Sequence, residues 1–226
     1  MNMKQEIMIT FDEIKKNKVV KTLIRKSDLY LSSLRYTSHG LEHVNEVVKR
    51  SKCLAEEIGF SNDDIEIVEI ASYLHDIGNF MGRENHQTNG ALISYSILRE
   101  LNVDIGIIAD ITTAISNHDE SNSIVTNKYT AVLILADKSH VHLSRVRSKN
   151  RINFDIHDKV NYAVKESKLR VDKENTEIWL DLIIDNSVSQ VMDYFEIFIN
   201  RMLLCKKAAK TLKYNFRLKI NNAILY

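Results

Sequence analysis

Proline is absent from this chain of 226 residues, and glycine occurs only six times. At the average proline content of about 5%, a chain of this length would carry roughly eleven. Because proline breaks helices and glycine weakens them, their scarcity favours long helices joined by polar turns. Cysteine is scarce too. Cys53 and Cys205 lie in helix-like stretches without the spacing of a metal-binding pair, which predicts buried or half-buried side chains.

The chain also lacks an excess of charge of one sign. Lys and Arg number 31 against 30 Asp and Glu, a net charge of +1. Nucleic acids and membrane surfaces usually select a basic patch, so we expect neither as a partner. No apolar run approaches the roughly 18 residues that span a bilayer, and the N-terminal stretch has no signal-peptide core. The composition predicts a cytoplasmic protein.

Helical patterns cover the first two thirds of the sequence. Thr10 and Glu13 have the spacing of a capping box, and apolar residues from Leu41 to Ile58 recur at helical spacing before Gly59. Ser61 begins a further apolar stripe that reaches His75-Asp76, and Gly78 is expected to end that helix. Three more helices are predicted over residues 86–101, 103–117 and 128–140.

Beyond residue 150 the pattern changes. Residues 168–171 and 178–184 are typical of strands joined by a polar turn, a helix is predicted over 187–212, and residues 214–220 alternate like a strand. We therefore expect a mainly α fold, with a helical domain over residues 1–147 and a small C-terminal α+β appendage over 148–226. The aromatic residues Trp179, Tyr194 and Phe198 are expected to pack the appendage.

Chemistry is concentrated in the helical part. Histidines occur in four successive predicted helices or at their ends, and an aspartate lies in a fifth: His43, His75, His86, His118 and Asp137. Such scatter suits a site built between the helices of a bundle. Asp76 follows the apolar run 71–74, where an ionised carboxylate is costly unless a metal, a cation or hydrogen-bond donors compensate it.

Three stretches carry a family resemblance: residues 38–47, SHGLEHVNEV; residues 73–79, YLHDIGN; and residues 133–138, LILADK. In order and context they resemble the HD-domain phosphohydrolase superfamily, which places a His on one helix, a His-Asp pair on a later helix and an Asp further on. The resemblance covers a core of residues 36–140. It implies an HD-domain helical bundle with His43, His75, Asp76 and Asp137 as metal ligands. His39 is a competing first ligand.

The resemblance implies a divalent cation as cofactor, drawn from Mn, Fe, Mg, Ni, Co or Zn. Mixed imidazole and carboxylate ligands do not choose among these ions. His86 and His118 resemble the extra histidines of family members with two metals, so they are candidates for a second metal or a phosphate contact. Asp119 or Asn117 interrupts the family's His-His pattern, which leaves the second metal open. Asp76 and His118 are the residues expected to act in catalysis.

Asn79 stands where the family frequently has a lysine that faces the substrate's phosphate. An amide can donate a hydrogen bond but carries no charge, so nearby cations are expected to compensate. Lys138, Arg145 and Arg147 are the candidates, because they follow the last ligand and arginine binds phosphate bidentately. Arg83 is a weaker candidate. The remaining histidines, His140, His142 and His157, match no family position and are expected to be structural.

The motifs are compatible with two functions. The first is a metal-dependent phosphohydrolase that cleaves a phosphoester or pyrophosphate of a small phosphorylated substrate, most naturally a nucleotide or related metabolite. The second is a non-catalytic module that binds a metal or nucleotide in regulation or assembly, in which a homodimer is one arrangement. The His-Asp-x-x-Glu-Asp run of the stringent-response hydrolases is absent, and the Gly-Tyr-Pro signature of cyclic-dinucleotide phosphodiesterases requires a proline.

Overall fold

The computed structural model describes residues 9–120, 123–148 and 154–226. Its helices are α1 (Phe11–Lys16), α2 (Lys18–Ser33), α3 (Leu41–Ile58), α4 (Asn62–Leu74), α5 (His86–Glu100), α6 (Ile105–Ser116), α7 (Lys128–Ser139), α8 (Ile156–Ala163) and α9 (Val191–Thr211), with 3-10 turns at Ile77–Met81 and Leu143–Arg145. Its strands are β1 (Val164–Asp172), β2 (Glu177–Ile184), β3 (Asn215–Ile220) and β4 (Ala223–Ile224). The predicted fold class, mainly α with a small C-terminal α+β part, is confirmed. The expected boundary near residue 148 adjoins residues 149–153, which lie outside the described part.

The helix ends follow from local chemistry. The Asn17 and Ser61 side chains accept hydrogen bonds from the first free amides of α2 and α4, which satisfies donors that no helical carbonyl can reach. Gly59 ends α3 with a φ of 88°, in the left-handed region that glycine adopts without strain. The predicted bounds of α3 agree with the observed helix.

Helix α7 lies at the centre of the molecule. Its residues from Tyr129 to Ser139 are all buried, because α3, α4, α6 and α9 pack around it. A helix enclosed on every side carries no amphipathic stripe. Asp137 and Lys138, near its C-terminal end, are therefore charged groups in the interior.

The sheet has the order β1-β2-β3-β4. Strand β2 pairs with β1 antiparallel and with β3 parallel, and α9 makes the crossover that parallel pairing requires. Alternate residues of β2 and β3, such as Leu180 and Leu218, are buried on one face. Helix α9 packs on α7, and β1 contacts α3 and α7, so the C-terminal elements rest directly on the helices that carry the candidate ligands.

Two local expectations were wrong, and one helix was missed. Helix α4 ends at Leu74, and Gly78 lies inside the 3-10 turn Ile77–Met81 rather than ending α4. Cys53 is exposed, whereas Cys205 is buried as expected. Helix α8 was not predicted, because its eight residues are too few to establish a helical period.

Gly78 is required for close packing rather than for helix termination. A Cβ at this position would lie 2.1 Å from the His86 carbonyl oxygen and 2.4 Å from the Gly90 amide nitrogen. Both are backbone atoms of α5, which cannot move aside as a flexible side chain can. The 3-10 turn that follows His75-Asp76 therefore packs directly on the first turns of α5, which carry His86.

We expect Gly78→Ala to lower the free energy of unfolding by about 3 kcal/mol, the upper range for overpacking in a tight core. Gly59→Ala is the matched control, since nothing lies within 4 Å of its Cβ and only left-handed strain of about 1 kcal/mol opposes it. Urea unfolding of both variants measures the difference. A Gly78→Ala protein as stable as Gly59→Ala would contradict this account of the packing.

Among the described residues, none of the helices is both long and apolar enough to cross a membrane.

Candidate metal centre

Buried histidines and aspartates converge in three overlapping groups at the ends of α3, α4, α5, α6 and α7. In each group the ligand atoms lie within 4.8 Å of one another. The groups are His43, His75 and Asp76; His75, His118 and Asp137; and Asp76, His86 and His118. The structure thus brings together all six residues that the sequence proposed as ligands or as contacts of a second metal.

The first position lies between α3, α4 and α7. His43 Nε2 is 3.6 Å from Asp76 Oδ2 and 3.3 Å from Asp137 Oδ1, and His75 Nε2 is 3.2 Å and 3.7 Å from the same two oxygens. Both ring nitrogens are buried, and neither has a hydrogen-bond partner among the described residues. Metal–ligand bonds of about 2.1 Å place neighbouring ligand atoms about 3.0–3.4 Å apart, so these four residues fit a divalent ion.

A second position adjoins the first on the side of α5. His86 Nε2 lies 3.5 Å from Asp76 Oδ1 and 3.3 Å from His118 Nε2. Asp119 Oδ2 lies 3.8 Å from His86 Nε2, so the residue that interrupts the family's His-His pattern places a carboxylate beside this group. Asp76 directs one oxygen to each position, so it would supply a ligand atom to an ion at either one.

Backbone carbonyls orient three of the rings. The Nδ1 atoms of His75, His86 and His118 lie 2.7, 3.0 and 2.6 Å from the carbonyl oxygens of the residues three positions earlier. A carbonyl only accepts, so each Nδ1 carries a proton and each Nε2 faces the cluster. Such contacts commonly orient histidine ligands of metals.

His43 is oriented differently, by another histidine. Its Nδ1 lies 2.9 Å from His140 Nδ1, and the two rings stack with centroids 5.1 Å apart. Sequence reasoning treated His140 as structural and missed this contact, because no motif links residues 97 positions apart. His39 donates from Nδ1 to the Thr37 carbonyl oxygen and belongs to none of the ligand groups found among the described residues.

The protonation states suit metal ligation. Burial would raise the pKa of the Asp76 carboxyl, but the His75 and His39 imidazoles outweigh it and hold the pKa well below its usual range. Burial lowers the pKa of His118 to about 3 and, with Arg145, also lowers the pKa of His43. The carboxylate is therefore ionised and these two rings are neutral at pH 7. His75 is the exception, since Asp76 raises its pKa against the effect of burial.

The cations that the sequence proposed for substrate binding have protein partners. Lys138 is 4% exposed, and its Nζ lies 2.7 Å from Asp137 Oδ2 and 3.1 Å from Glu120 Oε2. Arg145 donates to the carbonyl oxygens of Ser38 and His140. These cations neutralise the buried carboxylates and tie loops together.

The Arg147 side chain, which the sequence proposed for substrate binding, is also held by protein groups. It donates to the Tyr36 carbonyl oxygen and to the Asp28 carboxylate, so it fastens the connection between α2 and α3. His142 accepts from the Ser144 amide at the start of a 3-10 turn, and the exposed His157 lies 4.0 Å from Asp155. Neither ring belongs to a ligand group found among the described residues.

Asn79 links the cluster to an arginine. Its Nδ2 donates to Asp76 Oδ1 at 2.8 Å, and its Oδ1 accepts from Arg83 Nη1 at 3.1 Å. Arg83 Nη1 also lies 3.8 Å from Asp76 Oδ1. Asn79, the neutral residue at the family's lysine position, therefore positions the Arg83 cation. The i, i+4 spacing of residues 79 and 83 could have suggested this contact.

A cleft of about 900 Å³ opens beside the second position. Its lining includes charged or polar side chains, those of His86, Arg83, Asp119 and Glu120. It also includes apolar or aromatic side chains, those of Tyr30, Leu34, Tyr36 and Met81.

Comparison with known proteins supports the resemblance drawn from the motifs. Residues 40–141 match the model of the HD domain, which confirms the resemblance over that segment. An uncharacterized protein of Methanocaldococcus jannaschii is 29% identical over 106 residues, which cover 40% of this chain and 41% of that protein. The chain therefore matches about two fifths of the length of this relative.

A solved structure is also similar. It is the crystal structure of a predicted HD superfamily hydrolase from an uncultured Thermotogales bacterium, with 18% sequence identity and a TM-score of 0.44. The match covers 59% of this chain and 75% of the other.

Proposed function

We propose that this protein, which carries an HD domain over residues 40–141, is a metal-dependent phosphohydrolase acting on a phosphoester or pyrophosphate bond of a small phosphorylated molecule. The observation that carries the proposal is the pair of buried ring nitrogens, His43 Nε2 and His75 Nε2, which lack hydrogen-bond partners within the described chain. An unsatisfied buried nitrogen is costly. Two of them directed at two ionised carboxylates indicate a cation as their common partner.

His43, His75, Asp76 and Asp137 would hold the first ion. His86, His118 and Asp119 would hold a second ion together with Asp76, or the substrate's phosphate. A divalent ion in such a site lowers the pKa of a bound water molecule and polarises phosphoryl oxygens. The ion's identity is left to experiment, because nitrogen and oxygen ligands accept several transition metals.

The chain's own groups contribute in two further ways. The carbonyl oxygens behind His75, His86 and His118 keep each Nε2 directed at the cluster, so the site is organised before the substrate arrives. His118 is neutral at pH 7 because burial lowers its pKa. Its Nε2 can therefore ligate an ion, whereas so low a pKa makes the metal-free ring a weak proton acceptor.

Metal uptake tests the ligand assignment. After chelator treatment and incubation with excess Mn²⁺, we expect the wild-type protein to retain one to two ions per chain and His75→Ala to lose at least one of them, because His75 belongs to two of the three groups. His157→Ala is the control, since that exposed ring lies outside every group. Elemental analysis measures the bound metal, and an unchanged content in His75→Ala would overturn the assignment.

A second measurement separates an enzyme from a binding module. We expect the Mn²⁺- or Co²⁺-loaded protein to hydrolyse at least one member of a panel of phosphomonoesters, pyrophosphates and phosphodiesters, with His75→Ala inactive. Protein that retains metal and turns over nothing with any ion would support the alternative, a module that binds metal or nucleotide without catalysis.

A further inference from the structure

The cleft beside the second metal position is lined unevenly. The less exposed lining residues, which we call the inner part, are His86, Arg83, Asp119 and Glu120. The more exposed Tyr30, Leu34 and Tyr36 are called the outer part, and Glu84 and Met81 also line the cleft. The outer three residues come from the end of α2 and the connection to α3, before the segment that matches the HD domain. A volume of about 900 Å³ is at the upper end for small-molecule sites and far exceeds what a phosphate group needs.

Arg83 is the cation with free binding capacity at the inner part. It donates one hydrogen bond to Asn79 Oδ1, while its nitrogens lie 3.8 Å from Asp76 Oδ1 and 3.8 Å from Asp119 Oδ2. Contacts of 3.8 Å are too long to be hydrogen bonds. Its side chain is 26% exposed, against 4% for Lys138, so its remaining N–H groups can reach a phosphate in the cleft.

The outer part presents large apolar side chains to solvent. Tyr30 is 37% exposed, Leu34 49% and Tyr36 44%. Exposed apolar groups beside a charged pocket are typical of ligand-binding surfaces. Aromatic rings favour a flat partner through offset or edge-to-face contacts. These residues therefore suit an organic group that is flat and apolar rather than a sugar or a second phosphate.

We infer that the cleft binds aromatic organophosphates, with the phosphate on Arg83 and the aromatic group packed against Tyr30, Leu34 and Tyr36. This inference rests on the proposed function, because it places the phosphate beside the candidate metal positions. It predicts that aromatic phosphates bind more tightly than inorganic phosphate or glycerol 3-phosphate. It also assigns Arg83 the role of the cation that Asn79 lacks.

Calorimetric titration of the metal-free full chain tests this, because the probes are not hydrolysed without the ion. The probes are phenyl phosphate, glycerol 3-phosphate and inorganic phosphate. We expect Tyr30→Ala and Tyr36→Ala each to raise the Kd of phenyl phosphate about 5-fold, as loss of an aromatic contact does, with the Kd of inorganic phosphate unchanged. Tyr95→Ala is the matched control, because Tyr95 is similarly exposed, at 46%, on α5.

Arg83→Gln distinguishes the two parts of the cleft. We expect it to raise the Kd of all three probes by about 10-fold or more, the loss of a charge-assisted hydrogen bond. The double variant Asn79→Lys/Arg83→Gln should regain part of that affinity, because it returns a cation to position 79. Metal uptake and thermal unfolding of each variant check that the site and the fold persist.

Two results would overturn the inference: equal effects of Tyr30→Ala and Tyr95→Ala on phenyl phosphate, or equal wild-type affinity for all three probes. Failure of the proposed function would look different. A protein that binds phenyl phosphate in a Tyr30-dependent manner but hydrolyses no phosphate with any ion would support the cleft assignment and refute the hydrolase.

Discussion

Under the proposed function, replacing Asp76 by asparagine is expected to lower kcat/KM for hydrolysis of a phosphate ester by about a thousandfold, which corresponds to roughly 4 kcal/mol of lost transition-state stabilisation. The reason is geometric. One oxygen of Asp76 lies near His43 and His75, and the other lies near His86. An amide of the same shape offers only one oxygen and no negative charge, so it weakens both positions at once.

Steady-state kinetics with Mn²⁺, together with the metal content of the purified variant, measure this effect. Asp119→Asn is a graded comparison, because its carboxylate lies 3.8 Å from His86 and from Arg83 and belongs to none of the ligand groups found among the described residues. We expect it to cost about 10- to 100-fold, the range for residues that support a metal ligand. Retention by Asp76→Asn of more than a tenth of the wild-type kcat/KM would exclude a bridging role for this carboxylate.

Replacing Lys138 by methionine is expected to lower the free energy of unfolding of the metal-free protein by about 3–5 kcal/mol, the cost of leaving a buried charge without its partner. Lys138 Nζ contacts the carboxylates of Asp137 and Glu120, and Arg201 of α9 contacts Glu120 at 3.1 Å. Burial would raise the pKa of the Glu120 carboxyl, but Lys138 and then Arg201 outweigh it and lower the pKa. Loss of the amine therefore leaves two carboxylates poorly compensated.

The effect of pH follows from the direction of these shifts. A carboxyl whose pKa is lower in the folded state stabilises the fold above its unfolded pKa of about 4 and loses that contribution as the pH falls. The loss of unfolding free energy in Lys138→Met should therefore be largest at pH 7. It should shrink toward pH 4, where the carboxylates of Asp137 and Glu120, left without the lysine, become protonated. Urea unfolding at pH 7 and pH 5 checks the trend.

Lys128→Met provides the control for Lys138→Met. Lys128 Nζ also pairs with a carboxylate, Asp64 Oδ2 at 2.6 Å, but its side chain is 43% exposed. An exposed pair contributes about 0–1 kcal/mol. Equal losses in the two variants would mean that the pairs of Lys138 are no stronger than a surface ion pair.

Most of the helices and strands could be predicted from local patterns in the sequence. The bounds of α3 could be predicted because its apolar stripe and Gly59 are local features, and Ser61 marked the start of α4 for the same reason. The true end of α4 escaped prediction because the role of Gly78 depends on its distance to the backbone of α5. The packing of α9 on α7 likewise joins residues far apart in the chain.

The candidate site, too, could be predicted only in part from the sequence. Identity and order of residues along the chain pointed to His43, His75, Asp76 and Asp137, and the structure brings their ligand atoms together. The roles of the cations could not be predicted, because they depend on which neighbours each long side chain meets. Lys138 neutralises Asp137 and Glu120, whereas Arg83 lines the cleft.

The sequence by itself thus determined the helices, the family resemblance and the residue types that can hold a metal, because these depend on periodicity, caps and side-chain chemistry within short stretches. Tertiary structure alone decided that Asp76 faces two groups of histidines and that His140 orients His43. These features depend on distances of a few ångströms between side chains, which in the case of His43 and His140 are 97 residues apart, and such distances are set only when the helices pack.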